Sequence, residues 1–69
     1  MVKMNESSEI FLKKNIPEAL KCQTANGVLD LLYDFIEANG YAAPDYEDYN
    51  DMGRAAQKVY DDVYLSNND

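Results

Sequence analysis

An all-α fold, a compact bundle of three to four helices, is what this sequence predicts, on three observations. Apolar residues recur at helical spacing over two long stretches, about 24–39 and about 45–65. Residues that start and stop helices stand at the edges of those stretches. No segment alternates polar and apolar side chains in the manner of a half-buried strand.

The elements follow in chain order. Residues 1–6 carry no apolar period and read as a frayed start. Ser7 or Ser8 suits the N-cap of a short helix through about Lys14, with Ile10, Phe11 and Leu12 as its apolar side chains. Pro17 fits a first helical position, where its missing N–H is harmless. "PEALKC" then makes a second short turn, with Ala19 and Leu20 apolar.

"TANGVLDLLYDFIEANG" is the strongest element. Thr24 caps it and Gly40 stops it. At ~100° per residue, Val28, Leu29, Leu31, Leu32, Phe35 and Ile36, with Tyr33 and Ala38, fill an arc of roughly 220°. A helix this apolar belongs at the centre, covered on two sides. Asp30, Asp34 and Glu37 share the narrow polar sector that remains. Gly27 is its weak point, so residues 17–39 read either as two helices or as one kinked there.

Pro44 keeps Ala43 extended, and Asp45 is placed as cap of the last helix. In that helix Tyr49, Met52, Ala56, Val59 and Val63 recur at alternating spacings of three and four. Gly53, Ala55 and Ala56 allow a close approach to the central helix. Residues 66–69 read as a frayed end.

Length limits what this fold can hold. The 69 residues make one small acidic helical domain, with a core worth only ~3–5 kcal/mol of net stability. Cys22 is the one cysteine and there is no histidine. An internal disulfide and a cysteine-based zinc site are therefore excluded, and Cys22 reads as a small apolar filler. A lone cysteine fits a reducing compartment. "MVKMNESSEI" has no apolar core of a signal peptide. Asp30, Asp34 and Glu37 interrupt the longest apolar run, so no membrane span is expected. The expected location is cytoplasmic.

Charge carries the functional reading. The net charge is −7. Residues 22–53 hold seven acids and no Lys or Arg, while the two flanks nearly balance. Such a field repels nucleic acid and anionic membranes and attracts basic partners. Direct nucleic-acid binding is disfavoured, because it rests on Lys and Arg neutralising phosphates.

The acids meet two chemical tests poorly. Read from Asp48 as a calcium loop, Asn50 and Gly53 fit, but Met52 and Val59 stand where oxygen ligands are required. No metal or cofactor is expected. As acid–base pairs they lack a pocket and any His or metal companion, so no catalytic residue is assigned and the chain reads as a non-enzyme.

A contact surface suits them better. Asp30, Asp34 and Glu37 place three charges over ~10 Å of helix axis, near the ~3.4 Å spacing of charges along one DNA strand. Asp45, Glu47, Asp48 and Asp51 extend this field across the turn. Tyr46, Tyr49, Tyr60 and Tyr64 border the apolar stripe of the last helix, and tyrosine is enriched at interface hot spots. The partner-binding candidates are thus these seven acids with Tyr46, Tyr49 and Tyr64.

The run "FLKKNIPEALKCQTANGVLDLLYDFIEANGY" resembles the helical part of Nif11-type leader domains. The two share a short helix, a polar turn, a longer apolar helix and a glycine–aromatic stop. The resemblance covers about half of the chain, and this sequence lacks the family's double-glycine cleavage site. It implies a leader-type recognition domain as a third function.

The expected function is a non-catalytic acidic binding domain, an inhibitor or adaptor that occupies a basic, nucleic-acid-handling surface of a partner protein. Small phage anti-defence proteins and antitoxins share this physical profile. The alternative is a structural helical module that forms a homodimer through its last helix.

Overall fold

Asn5, not Ser7 or Ser8, starts the first helix. Its side-chain oxygen accepts the Ser8 N–H at 2.8 Å, and α1 runs Glu6–Asn15. Ser8 faces inward instead and is buried. The computed structural model describes residues 2–41 and 48–67. After α1 come a 3-10 turn at Pro17–Lys21, then α2 at Ala25–Asn39 and α3 at Asp51–Asn67. The structure is thus a small all-α bundle, with three α-helices among the described residues.

Pro17 opens the 3-10 turn as its fixed φ favours. The chain breaks between that turn and α2, not at Gly27, so residues 17–39 are two elements. Thr24 caps α2 by accepting the Gly27 N–H at 3.2 Å.

The last helix begins later than its pattern suggests. Asn50 is its cap, accepting the Gly53 N–H at 2.8 Å, and residues 48–50 are not helical. Asp45, the expected cap, lies outside the described residues. Asn50 wins because its side chain also reaches backward. Its amide donates to the carbonyls of Asn39 at 2.9 Å and Tyr41 at 3.3 Å, while its backbone N–H donates to Gly40 at 2.8 Å. One residue therefore closes the end of α2 and opens α3.

Gly40 stops α2, but not through a left-handed conformation, since its φ is −96°. It is needed for proximity. A β-carbon on Gly40 would stand 3.1 Å from the Gly53 Cα, and one on Gly53 would overlap the Gly40 carbonyl. The two helices therefore touch backbone to backbone at this end.

The core is Leu12, Ile16, Ala19, Val28, Leu32, Ile36, Ala56, Val59 and Val63. The α2–α3 interface is the most extensive, and α1 packs on α3. Phe11 and Phe35 meet edge to face at 5.9 Å, joining α1 to α2. Met52, expected on the inward stripe, is exposed, because Gly53 occupies the inward position at that turn. The apolar arc of α2 is covered over its centre only: Tyr33 and Ala38, at its margins, are exposed.

Hydrogen bonds tie the chain's ends to this core. Asp62 on α3 accepts the Asn5 N–H and the Ser8 hydroxyl, both at 2.8 Å. Asn67 accepts the Lys3 N–H at 2.9 Å and donates to the Lys3 carbonyl at 2.7 Å. The stretches read from sequence as frayed ends thus contain Lys3, Asn5 and Asn67 in specific bonds.

Candidate functional site

Three consecutive turns of α2 carry Asp30, Asp34 and Glu37, all exposed. Their spacing puts them on one side of the helix, facing away from the buried Val28, Leu32 and Ile36. Among the described residues one ion pair is formed, between Arg54 and Asp51 at 3.1 Å. It is fully exposed and lies within one helical turn, so it adds little stability. Asp51 is thereby partly neutralised, whereas the α2 acids have no such partner among the described residues. Asp48 is also exposed. Asp45, Tyr46 and Glu47 lie outside the described residues.

The tyrosines divide into separate groups. Tyr49 does not sit on the last helix. It lies in the extended stretch before Asn50, paired with Tyr41 in an isolated antiparallel bridge. Their rings are 5.3 Å apart and tilted by 57°. The Tyr49 hydroxyl donates to Gln57 at 3.2 Å, and the Gln57 amide donates to Asp61 at 3.0 Å. Both rings are half-buried against the core. Tyr60 closes the core edge on α3. Tyr64 is 49% exposed and stands ~20 Å along the α3 axis from Asp51, at ~1.5 Å per residue. It does not join the acidic surface at the α2–α3 junction.

Tyr33 and Tyr41, absent from the sequence-derived candidates, do join it. Tyr33 and Glu37 stand one turn apart on α2, and Tyr41 follows just after the helix ends. The Glu37 charge and its hydrogen bond raise the Tyr33 phenol above its usual pKa, with smaller contributions from burial, Asp34 and Tyr49. Burial raises Tyr41 most, followed by the charge of Glu37 and then Tyr49. The charge of Glu37 thus disfavours the ionised form of both phenols. For Tyr33 the signal was present in the sequence, as its interval of four residues to Glu37 on one helix. The broad apolar arc hid it, by assigning Tyr33 to the core.

The calcium-loop register fails on backbone grounds as well. Asn50 uses its side chain as a cap, and the positions from Asp51 onward are helical. Among the described residues no group of three or more potential metal ligands converges. A groove of about 550 Å³ between the N-terminal segment and the 3-10 turn is lined by Val2, Met4, Ala19, Leu20 and Cys22, with Lys3 and Glu9 beside them. Cys22 is half-buried in it, and its thiol points to the Glu18 carbonyl at 3.8 Å.

No helix among the described residues is long and apolar enough to cross a membrane. No protein-family model, curated protein or solved structure matches this chain.

Proposed function

We propose that this chain is a non-catalytic protein-binding domain, an inhibitor or adaptor of the anti-defence or antitoxin kind, whose acidic surface occupies a basic, nucleic-acid-handling surface of a partner in the cytoplasm. One observation carries the reading. Asp30, Asp34 and Glu37 form an exposed row on a well-packed helix, within a stretch from Cys22 to Gly53 that contains no Lys or Arg. Like charges at these intervals weaken a helix by a few tenths of a kcal/mol per pair. A solvated face without a binding role normally mixes signs.

The test is charge reversal. The protein captures its partner from the native host, and the pair is titrated at rising salt. Asp30→Lys with Asp34→Lys should abolish binding and leave helicity unchanged, since exposed substitutions alter stability by only ~0.5 kcal/mol. The partner's nucleic acid should compete, and affinity should fall with salt. Unchanged affinity in both experiments would overturn the reading.

A second reading, self-association through α3, draws on the exposure of Tyr64 and Leu65, the latter 72% exposed. Such a dimer would persist at high salt, where an acidic complex weakens. Sedimentation of the isolated chain in low and high salt separates the two.

A further inference from the structure

We propose that residues 2–5 form a latch, which swings open about Asn5 while the three helices stay folded and so controls access to the apolar groove that holds Cys22.

Two clips close the latch, and both are side chains of α3. Asn67 accepts the Lys3 N–H at 2.9 Å and donates to the Lys3 carbonyl at 2.7 Å. Asp62 accepts the Asn5 N–H at 2.8 Å. All three bonds are exposed to water. Among the described residues no backbone–backbone bond reaches residues 2–4. A segment held in this way opens at a lower free energy than the packed helices do.

Opening strands neither clip. Asp62 keeps the Ser8 and Ser66 hydroxyls, and Asn67 keeps the Val63 carbonyl at 2.7 Å. The hinge is the N–Cα bond of Asn5. Rotation about it moves the Asn5 N–H and every residue before it. The Asn5 carbonyl, which accepts the Glu9 N–H at 3.1 Å, and the side chain that caps Ser8 both stay in place. The first turn of α1 therefore survives the motion.

The latch is also a wall. Val2 and Met4 pack against the core from it, and with Ala19, Leu20 and Cys22 they line the groove of about 550 Å³. Burial of these two apolar side chains favours the closed state. Swinging the latch away removes their side of the groove and uncovers the Cys22 thiol, which is half-buried when it is closed.

The experiment uses the full chain and two single variants, with circular dichroism verifying the helices in each. Amide hydrogen exchange is followed by NMR, and Cys22 is labelled with N-ethylmaleimide, a small neutral probe. Cys22 is the one cysteine, so labelling reports a single place. Asn67→Ala should speed exchange at Asn5, whose own acceptor is untouched, and labelling of Cys22, each about tenfold. Asp62→Asn, which keeps an acceptor for Ser8, should in turn speed exchange at Lys3 and the same labelling. The amides of Ser8, Leu32 and Val59 should exchange as in the parent. Faster exchange confined to the residue whose bond was cut would make the clips independent and overturn the latch. Acceleration that spreads to Leu32 and Val59 would make the opening global and overturn it too. Labelling of Cys22 at the parent rate in both variants would show that the groove is reached without the motion, and would overturn its role as a gate.

Discussion

The carbonyl of Gly40 packs directly on Gly53, leaving no room for a β-carbon on either residue. In an isolated helix Gly53→Ala would gain ~1 kcal/mol from helix propensity. Here it should lose stability. The new methyl would drive α2 and α3 apart and break the bond from the Asn50 N–H to Gly40. Overpacking of this kind costs ~1–3 kcal/mol, so the net loss in a urea titration should be about 1 kcal/mol or more. Gly27→Ala is the control. Its β-carbon would meet the Cys22 Sγ at 3.3 Å, a half-buried side chain able to shift, and the variant should stay within ~1 kcal/mol of the parent. Equal behaviour of the two variants would count against the backbone contact.

Asp62 links α3 to the start of α1, and its carboxyl lies below the ordinary range. The Asn5 N–H is the main cause, opposed by burial and aided by the Ser8 and Ser66 hydroxyls. A folded-state pKa below the unfolded value gives stability that is fully present above the unfolded pKa, about 4. That stability is lost as pH falls through the folded pKa. Acid should therefore loosen this corner below about pH 4. Asp62→Ala should cost ~1–3 kcal/mol near neutrality, because the buried Ser8 hydroxyl loses its acceptor. It should also flatten the acid limb of a melting-temperature profile. A variant whose acid limb matches the parent's would exclude this role for Asp62.

The phenols report on Glu37. Tyr33 and Tyr41 should ionise above the ordinary tyrosine value near 10, as followed by their ring NMR signals at high pH. Glu37→Gln should bring both downward, Tyr33 more, since the Glu37 charge is its largest perturber while burial dominates at Tyr41. If only Tyr33 responds, Glu37 does not face both rings.

Burial separates two leucines of similar helical setting. Leu32 is fully buried, and Leu32→Ala should cost ~2–5 kcal/mol, most of the stability available to a chain this short. Leu65 is on the surface, and Leu65→Ala should change stability by no more than ~0.5 kcal/mol. Thermal melts of the two variants decide whether the core is assigned correctly.

Where the sequence was informative, one local interaction outweighed its rivals. Thr24 had no competing cap, and Val28, Leu32 and Ile36 dominate one side of α2, so that helix was placed within a residue at its start. The start of α3 was not legible, because Asp45, Asp48 and Asn50 are all competent caps. The choice fell to Asn50 through its bonds to the carbonyls at the end of α2, which are tertiary. Ser8 was misread for a related reason: its value lies in a bond to Asp62, far away in sequence. In the candidate site the acids of α2 were legible from helical spacing. The Tyr41–Tyr49 pair was not, since it depends on a backbone bridge between two residues that lie outside the helices.

Lys3 and Asn67 exchange two hydrogen bonds, so positions near the two ends of the chain lie side by side. The connection from Tyr41 to Tyr49 also leaves and returns at one place, fastened by the bridge and by Asn50. Taken together, these make the backbone close to a ring with one covalent gap. A circular permutant, joined near residues 2 and 67 by a short glycine–serine linker and opened between Tyr41 and Asp48, would keep all three helices and the Gly40–Gly53 contact. Lengthening a flexible closure costs only ~0.6 kcal/mol per doubling, so the permutant should fold. It would also release the backbone beside the tyrosine pair from one of its two tethers, letting the rigidity of that pair be varied without changing a single side chain on it.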